Sequence, residues 1–379
     1  MELSTSTSVV CSYNEWDLLE EVIVGSVIGA AQMGFEPAIS AYYPLKSKKR
    51  SFKGARYSEI EIEKAQNQLD NFAEILIREG VIVRRPDILD FFKPIKTPDF
   101  EVSCENCSAC PRDILLIIGN EIIEAPMAQR ARFFEYRAYR TLIKEYFHRG
   151  AKWTTAPKPL MSEKLYKSNF TIENDAFDAD TNSSLTNFEP CFDAASFVRF
   201  GKDIFYQPDL VTNDFGAQWL KRHLGSKFRL HRIKFADKHP PQHIDTTLVP
   251  IRPGVILINP ERPCLGDTLN LFLKNGWKII EAVPSVYGVG FHSPEISNWI
   301  SMNILLLDEQ RVIVDEKEEP MIKLLESLGC KVITCSFNEV YKFGGSFHCC
   351  TSDIRRRGTL QSYFPTLDKQ TSDMSMSCN

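Results

Sequence analysis

The sequence predicts an α/β protein built from about five similar modules in one compact domain. A first observation is a junction at which a helical stretch ends at a glycine and a strand follows at once. It recurs in LIREG-VIVRR, YFHRG-AKWTT, KRHLG-SKFRL, LKNG-WKII and LESLG-CKVITC. A second observation is that strand-like segments alternate with these helices, namely EEVIVG, DILLIIG, KDIFYQ, GVILIN and ILLLD. We interpret the pattern as five strand–helix–glycine–strand repeats, with an ordinary mixed α/β sheet as the alternative.

The first helix has a clear beginning and a clear buried face. Ser58 and Glu61 have the spacing of a capping box, in which each residue satisfies a backbone N–H group of the other. Apolar residues then recur at helical spacing, at Ile62, Ala65, Leu69, Phe72 and Leu76.

Two segments read as hairpins, one over Asp113–Ala125 through Gly119-Asn120 and one over Ile304–Asp315 through Asp308–Gln310. The chain ends are Ser/Thr-rich with little apolar content, which predicts disordered tails at 1–10 and 365–379. Nothing between them resembles a linker. A single domain over 11–364 is therefore expected.

Composition excludes several classes of protein. The 379 residues are 43% hydrophobic and 25% charged with a net charge of −4, which is typical of a soluble globular protein without a nucleic-acid footprint. The absence of Lys or Arg before Lys46 argues against a presequence, and the apolar stretch Val22–Ala31 is too short to span a bilayer. Eleven cysteines without an export signal favour free thiols. A cytoplasmic protein is expected.

The stretch CENCSAC, with Cys104, Cys107 and Cys110, has a spacing that suits a metal. A ferredoxin-type run needs a fourth cysteine where this chain has Ile114, and a zinc site would need a distant fourth ligand. We interpret it as an irregular, partly exposed, cysteine-rich loop. The common nucleotide and zinc-protease motifs are absent as well.

Other candidates are weak one by one. His243 and Asp245 in PQHIDTT could act as an acid/base pair or form a polar surface pair. Asp193 in EPCFDAASF is either a turn residue or a functional carboxylate, and Arg262 in NPERPC could grip a carboxylate or form a plain salt bridge. With the cysteines of GGSFHCCTSDIRRRGTL, these are the parts of a Cys–His hydrolase or transferase.

Several long stretches closely resemble L-arginine:glycine amidinotransferase and its relatives. The resemblance runs from SYNEWDLLEEVIVG near Cys11 to RRRGTLQSY near Tyr363, nearly the whole chain. The stretches between them include PRDILLIIGNEIIEAPMAQRARFFEYRAYR, HRGAKWTTAPKP, EPCFDAASFVR, NPERPC and GGSFHCCTSDIRRRGTLQSY. The family's fold is a five-bladed α/β propeller of pseudo-fivefold ββαβ modules with its active site in the central channel. The resemblance implies that fold here.

The resemblance also implies the catalytic residues. The family's nucleophile follows Phe-His in a glycine-rich loop, which corresponds to Cys349. Cys350 stands where the animal enzyme has tryptophan, so it is expected to be a neighbour and not a second nucleophile. The acid/base histidine corresponds to His243 and its partner carboxylate to Asp193.

Substrate-binding residues follow in the same way. The carboxylates that bind the guanidinium correspond to Asp113 and Asp245, and Arg262 matches the residue that holds the α-carboxylate of the donor. Ser297 is placed like a serine that contacts the amino acid end of the donor. The implied reaction moves the amidino group of L-arginine through an amidino-cysteine to an amine and releases ornithine.

The acceptor loop departs from the glycine enzyme. Pro240-Pro241-Gln242 stands where that enzyme has Asn-Pro-Met, and Gln242 would border the acceptor. This departure favours a member of the saxitoxin-pathway type, from cyanobacterial toxin biosynthesis, whose acceptor is the amine of an arginine-derived ethyl ketone. Glycine is the alternative acceptor.

Two other hypotheses stay open, an arginine deiminase with the same catalytic residues and a non-enzymatic metal-binding protein based on CENCSAC. For the enzyme we expect a homodimer that uses L-arginine and a small amine, with no cofactor, metal, nucleic acid or membrane.

Overall fold

The computed structural model of the protein describes residues 8–167, 169–171, 182–235, 243–288 and 297–369. No helix within these ranges is long and apolar enough to cross a membrane. The α-helices are α1 (Glu59–Arg78), α2 (Pro111–Ile114), α3 (Arg140–His148), α4 (Asp214–Leu224), α5 (Thr268–Lys274) and α6 (Glu319–Ser327). The strands are β1 (Leu18–Val24), β2 (Ala31–Gln32), β3 (Ala55–Arg56), β4 (Ile82–Arg84), β5 (Ile95–Lys96), β6 (Glu101–Val102), β7 (Leu115–Ile118), β8 (Glu121–Glu124), β9 (Lys152–Thr155), β10 (Phe197–Phe200), β11 (Asp203–Tyr206), β12 (Arg229–Arg232), β13 (Lys234–Phe235), β14 (Leu248–Arg252), β15 (Val255–Ile258), β16 (Cys264–Leu265), β17 (Lys278–Glu281), β18 (Leu305–Leu306), β19 (Arg311–Asp315), β20 (Lys331–Cys335) and β21 (Thr351–Arg357).

Five three-stranded sheets share one topology. Their strand orders are β21-β1-β4, β7-β8-β9, β10-β11-β12, β14-β15-β17 and β18-β19-β20. In each sheet the first strand runs antiparallel to the middle strand, and the third runs parallel to it after a helical crossover. The α/β prediction and both predicted hairpins are confirmed by this pairing. Short two-stranded pairs join β2 to β3, β5 to β6 and β13 to β16.

The glycine at each helix–strand junction has a backbone conformation that other residues rarely adopt. The values of φ are +88° at Gly80, +98° at Gly150, +62° at Gly225, +78° at Gly276 and +84° at Gly329. A side chain there would meet open space, so the requirement for glycine comes from the backbone and not from crowding.

Helix α1 forms as the sequence predicts. Ser58 and Glu61 make both hydrogen bonds of the capping box. Four of the five apolar positions face the core, whereas Ile62 is only partly buried.

Both ends of the chain contribute to the folded domain. Strand β21 pairs with β1, so residues from the C-terminal part complete the sheet that the N-terminal part begins. The described residues of the predicted tails, 8–10 and 365–369, also pack onto the domain. Val10 is fully buried, and Asp368 pairs with Arg229 at 2.7 Å. Val10 and Asp368 thus contact the fold, and the domain limits of 11–364 stay a prediction.

A short turn precedes the first strand of each sheet, and these turns position the site. They are α2, three 3₁₀ turns at Ala194–Ser196, Ile244–Thr246 and Ile300–Met302, and the turn at 347–350. Each carries or directly adjoins one buried polar side chain, namely Asp113, Asp193, Asp245, Asn303 and Cys349.

Candidate active site

Three chemically active side chains from distant parts of the chain meet in the interior. The thiol of Cys349, a ring nitrogen of His243 and a carboxylate oxygen of Asp113 all lie within 4.8 Å of one another. All three side chains are buried, and Cys349 is 3% exposed. Thiol, imidazole and carboxylate can also bind a divalent metal, and in the described part of the chain this is the one group of such ligands.

His243 is held between two carboxylates. Its Nε2 donates to Asp193 Oδ2 at 3.1 Å, and its Nδ1 lies 3.6 Å from Asp113 Oδ1. Burial opposes the charged imidazole, but Asp113 and Asp193 more than offset that effect and raise the pKa of His243 to about 10. His243 therefore carries its second proton at neutral pH and can act first as an acid.

Arg132 orients the two carboxylates beside His243. Its Nη1 lies 2.8 Å from Asp113 Oδ2 and 3.7 Å from Asp193 Oδ2, while its Nε donates to Glu135 at 3.0 Å. Within the described residues, Oδ1 of Asp113 and Oδ1 of Asp193 have no hydrogen-bond partner. A buried acceptor without a donor is costly, and a cationic ligand would satisfy it.

Asp245 contacts the cluster through the thiol of Cys349. Its Oδ2 accepts hydrogen bonds from Asn303 Nδ2 at 2.7 Å, His348 Nδ1 at 2.9 Å and Cys349 Sγ at 3.2 Å. Burial favours the neutral acid, but His348 and the positive charge of His243 outweigh burial and lower the pKa of Asp245. Asp245 is therefore held in its ionised form beside the cluster.

Cys349 has few neighbours that favour its thiolate. Burial, Asp245 and Asp113 raise the pKa of Cys349 well above its usual range, and the hydrogen bond from Asn303 opposes them. Cys350 is fully buried, and its side chain hydrogen-bonds with that of Cys110. The two adjacent cysteines therefore have different surroundings.

Arg262 lies near the turn that carries Asp245. Its Nη1 donates to the hydroxyl of Thr247 and to Gln207 Oε1, the latter at 3.3 Å. The Ser297 hydroxyl accepts the backbone N–H of Trp299 at 3.1 Å, and the Trp299 indole donates to Glu261. Ser297 thus connects with the chain beside Arg262, not with the cluster itself.

Gln242 lies outside the described residues, as do Pro240 and Pro241. Their predicted position at the acceptor side of the site therefore stays a prediction.

The interpretation of CENCSAC as a partly exposed loop is wrong. Cys104, Cys107 and Cys110 are 0%, 2% and 3% exposed. The thiols of Cys107 and Cys110 point to the carbonyl of Phe343 at 4.0 and 3.9 Å, beneath the segment that leads to Cys349. The segment is buried because it packs under the active-site turn, and in the described residues its thiols join no group of metal-ligand atoms.

Three residues of the site were not predicted from the sequence, namely Arg132, Asn303 and His348. Asn303 could have been found, because it precedes the strand of its module much as Asp113 precedes β7. His348 directly precedes Cys349. No sequence signal distinguishes Arg132 from the other arginines nearby.

Comparisons with known proteins identify the family of this chain. The chain matches no protein-family model. It is 49% identical over 363 residues to the mitochondrial glycine amidinotransferase of Gallus gallus, covering 94% of this chain and 85% of that protein. The chain belongs to the amidinotransferase family.

Other amidinotransferases are similar to the same degree. The L-arginine:L-lysine amidinotransferase of Pseudomonas savastanoi pv. phaseolicola is 46% identical over 359 residues, covering 94% of this chain and 97% of that protein. The structure of SxtG, an amidinotransferase of Microseira wollei in the saxitoxin biosynthetic pathway, is 48% identical with a TM-score of 0.86 and covers 94% and 100%. Identity alone therefore does not select an acceptor among amidinotransferases.

Proposed function

We propose that this amidinotransferase moves the amidino group of L-arginine onto Cys349 and then to a primary amine, with release of ornithine. The observation that carries the proposal is the buried cluster of the Cys349 thiol, His243 and Asp113 within 4.8 Å. Cys349 is the nucleophile, His243 the acid and base, and Asp193 the carboxylate that orients His243.

The guanidinium of arginine binds between Asp113 and Asp245. Asp113 offers an oxygen that accepts no hydrogen bond from a described residue, and Asp245 is held ionised by its own donors. These carboxylates keep the guanidinium protonated, so its carbon stays electrophilic. The bound cation also offsets the carboxylates that raise the pKa of Cys349, and it thereby favours the thiolate.

Transfer then proceeds in two half-reactions. The Cys349 thiolate bonds to the guanidinium carbon, the bond from that carbon to the ornithine nitrogen breaks, and His243 gives its proton to the leaving amine. The amidino-cysteine remains. The acceptor amine attacks the same carbon, His243 takes a proton from it, and the carbon–sulfur bond breaks to regenerate Cys349.

Arg262 and Ser297 bind the amino acid end of the donor in this proposal. Arg262 is suited to the α-carboxylate because a guanidinium can grip it through two parallel hydrogen bonds. Its anchoring to Thr247, two residues after Asp245, supports a fixed distance between the two ends of arginine.

Variants of the two adjacent cysteines test the nucleophile. We expect Cys349→Ala to abolish transfer and Cys350→Ala to retain most of it. Mass spectrometry of protein quenched with arginine alone should locate the amidino adduct on Cys349. An adduct on Cys350 with Cys349 unmodified would contradict the assignment. In two-substrate initial-rate plots a covalent intermediate predicts parallel lines, and intersecting lines would argue against it.

A hydrolase with the same residues is the competing function. In a deiminase the thiol adduct would lose ammonia and keep the ornithine part, and water would then attack the adduct carbon and release the thiol, so that arginine alone would yield citrulline and ammonia. Ornithine that forms beyond one equivalent per protein only when an acceptor amine is present supports the transferase, whereas steady citrulline production would establish the deiminase.

For the acceptor we propose an arginine-derived α-amino ethyl ketone, as in saxitoxin biosynthesis, with glycine as the alternative. The support is the Pro240-Pro241-Gln242 departure together with the similarity to the saxitoxin-pathway amidinotransferase. Two prolines restrict the backbone and lack N–H donors, so the loop would contact a tiny acceptor poorly. A larger amine that reaches the loop would gain in transition-state binding.

A competition assay decides the acceptor. Saturating arginine is mixed with equal concentrations of the amino ketone, glycine and L-lysine, and the guanidino products are counted by mass spectrometry. Predominance of the ketone product supports the loop argument. Predominance of guanidinoacetate, or of the lysine product, would overturn it.

We also propose that the five modules form a five-bladed α/β propeller. Five sheets of one topology, five turns that meet at one site and the pairing of β21 with β1 support a ring of five modules. A cytoplasmic homodimer is likewise proposed from the sequence. Light scattering of the purified protein tests the homodimer, and fractionation of host cells tests the cytoplasmic location.

A further inference from the structure

Asn303 contacts both Cys349, the proposed nucleophile, and the carboxylate of Asp245. Its Nδ2 lies 3.1 Å from Cys349 Sγ and 2.7 Å from Asp245 Oδ2, and its Oδ1 accepts the backbone N–H of Cys349 at 3.0 Å. The side chain is 1% exposed. One amide thus fixes the backbone, the thiol and the neighbouring carboxylate in one geometry.

The orientation of the amide follows from its partners. A backbone N–H can only donate, so the oxygen of Asn303 must face the N–H of Cys349. The NH₂ group therefore faces Cys349 Sγ and Asp245, and it has one hydrogen for each. The alternative orientation would place the amide oxygen against a carboxylate oxygen, two acceptors without a hydrogen between them.

We propose that Asn303 is a further catalytic residue of amidino transfer, whose amide N–H stabilises the thiolate of Cys349. This inference rests on the proposed role of Cys349 as nucleophile. When the thiol loses its proton, its hydrogen bond to Asp245 becomes a contact between two anions 3.2 Å apart. The N–H group of Asn303 is the neighbouring donor that can replace the lost interaction, because it already points at the sulfur.

The position of Asn303 in the fold supports the proposal independently. Each of the five sheets is preceded by a turn that brings one polar side chain to the centre, and four of these are Asp113, Asp193, Asp245 and Cys349. The turn before the remaining sheet supplies Asn303, which lies two residues before the start of β18. Because Asn303 is a neutral hydrogen-bond donor, this turn does not add a further carboxylate to Asp113, Asp193 and Asp245 near the thiol.

The pH dependence of thiol reactivity tests the proposal. Iodoacetamide alkylation of Cys349 is followed by peptide mass spectrometry across pH for the parent and for Asn303→Ala, Asn303→Ser and Asn303→Asp. We expect the alkylation profile of Asn303→Ala to shift upward by about one pH unit, the scale of one charge-assisted hydrogen bond. Asn303→Ser keeps a hydrogen-bond donor, so its alkylation profile should lie between those of the parent and Asn303→Ala. Asn303→Asp adds an anion, so its profile should shift to the highest pH.

Steady-state kinetics provide the second readout. The value of kcat should fall about tenfold or more in Asn303→Ala while KM for arginine changes less, since the thiolate matters in the chemical step. Asn71→Ala is the matched control, because Asn71 donates to the thiol of Cys335 at 3.7 Å in another part of the molecule. The control should leave the Cys349 profile unchanged.

The outcomes separate this inference from the proposed function. An unchanged Cys349 profile in a folded Asn303→Ala, or in Asn303→Asp if the alanine variant does not fold, would overturn the role of Asn303. Failure of the parent to form an adduct on Cys349 with arginine would instead overturn the proposed nucleophile, whatever the Asn303 variants do.

Discussion

The thiol of Cys349 lies among carboxylates, whereas a reactive cysteine usually has a cationic neighbourhood. Asp245 accepts its hydrogen bond, and with Asp113 it raises the pKa of the thiol in the free protein. The arrangement makes physical sense if the substrate itself supplies the positive charge. Bound arginine would then favour the thiolate form of Cys349, the proposed nucleophile.

The role in donor binding that we propose for Arg262 also leads to a prediction. Arg262→Lys should raise KM for arginine and change kcat less, because an ammonium cannot reproduce the two-pronged grip on a carboxylate. The loss should be about 1–3 kcal/mol. Steady-state kinetics with arginine and with agmatine, which lacks the carboxylate, check this. Equal turnover of the two donors by the parent would show that Arg262 has another role.

The charge of His243 links the site to stability. The pKa of His243 is raised to about 10 by Asp113 and Asp193 against the opposing effect of burial. A raised pKa contributes stability that is complete below the unfolded value of about 6.5 and is lost as pH rises towards the folded value. The free-energy difference between the parent and His243→Gln should therefore be larger at pH 6 than at pH 10.

Denaturant unfolding at pH 6, 8 and 10 measures that difference. If the difference in unfolding free energy between the parent and His243→Gln stays constant or increases with pH, His243 is not the cation between Asp113 and Asp193.

At the scale of elements, two kinds of glycine serve different purposes. The junction glycine Gly329 needs its φ of +84°, and a side chain there meets no atom within 4 Å. A side chain on Gly345, in contrast, would place its Cβ 2.4 Å from the Cβ of Cys349. Gly329 allows a helix to end, whereas Gly345 allows the turn that carries Cys349 to pack closely.

Alanine substitutions should separate these two roles. Gly345→Ala should displace Cys349 and lower kcat by at least about 100-fold, since a misplacement on the order of 1 Å is enough for such a loss. Gly329→Ala should lower the free energy of unfolding by about 1–2 kcal/mol and keep most of the activity. Activity assays and denaturant unfolding of both variants test this. Full activity in Gly345→Ala would refute the packing argument.

At the scale of the whole molecule, buried ion pairs tie remote segments together near the site. Asp353 in β21 pairs with Arg112 at 2.6 Å, with Arg199 at 3.0 Å and with Arg356 at 2.8 Å. Glu15 in turn pairs with Arg199 at 2.7 Å. The network joins the N-terminal segment, two of the five sheets and the short helix of Asp113.

Removal of the central charge should destabilise the whole fold. Asp353→Asn would leave three buried arginines with too few partners, at a cost of about 3–5 kcal/mol. Burial opposes the carboxylate, but the arginines hold the pKa of Asp353 well below its usual range. Its stabilisation is therefore present above the unfolded pKa of about 3.9 and is lost as pH falls through the folded value.

Chemical denaturation of the parent and Asp353→Asn at pH 7 and in acid checks both statements. The gap in unfolding free energy should be large at pH 7 and should shrink in acid. No gap at pH 7 would mean that the network is not a stabilising junction.

The sequence alone determined the repeating modules, because a helix end, a left-handed glycine and a strand are local features that short stretches specify. Family resemblance also marked Cys349, His243, Asp193, Asp113 and Asp245. Only the tertiary structure brought Asn303 and Arg132 to these residues, brought His348 to Asp245, and buried the cysteines of CENCSAC. The physical reason is that these contacts join side chains far apart in the chain, where no periodicity links them. They arise when the turns that precede the five sheets converge, and such convergence depends on how the modules pack against one another.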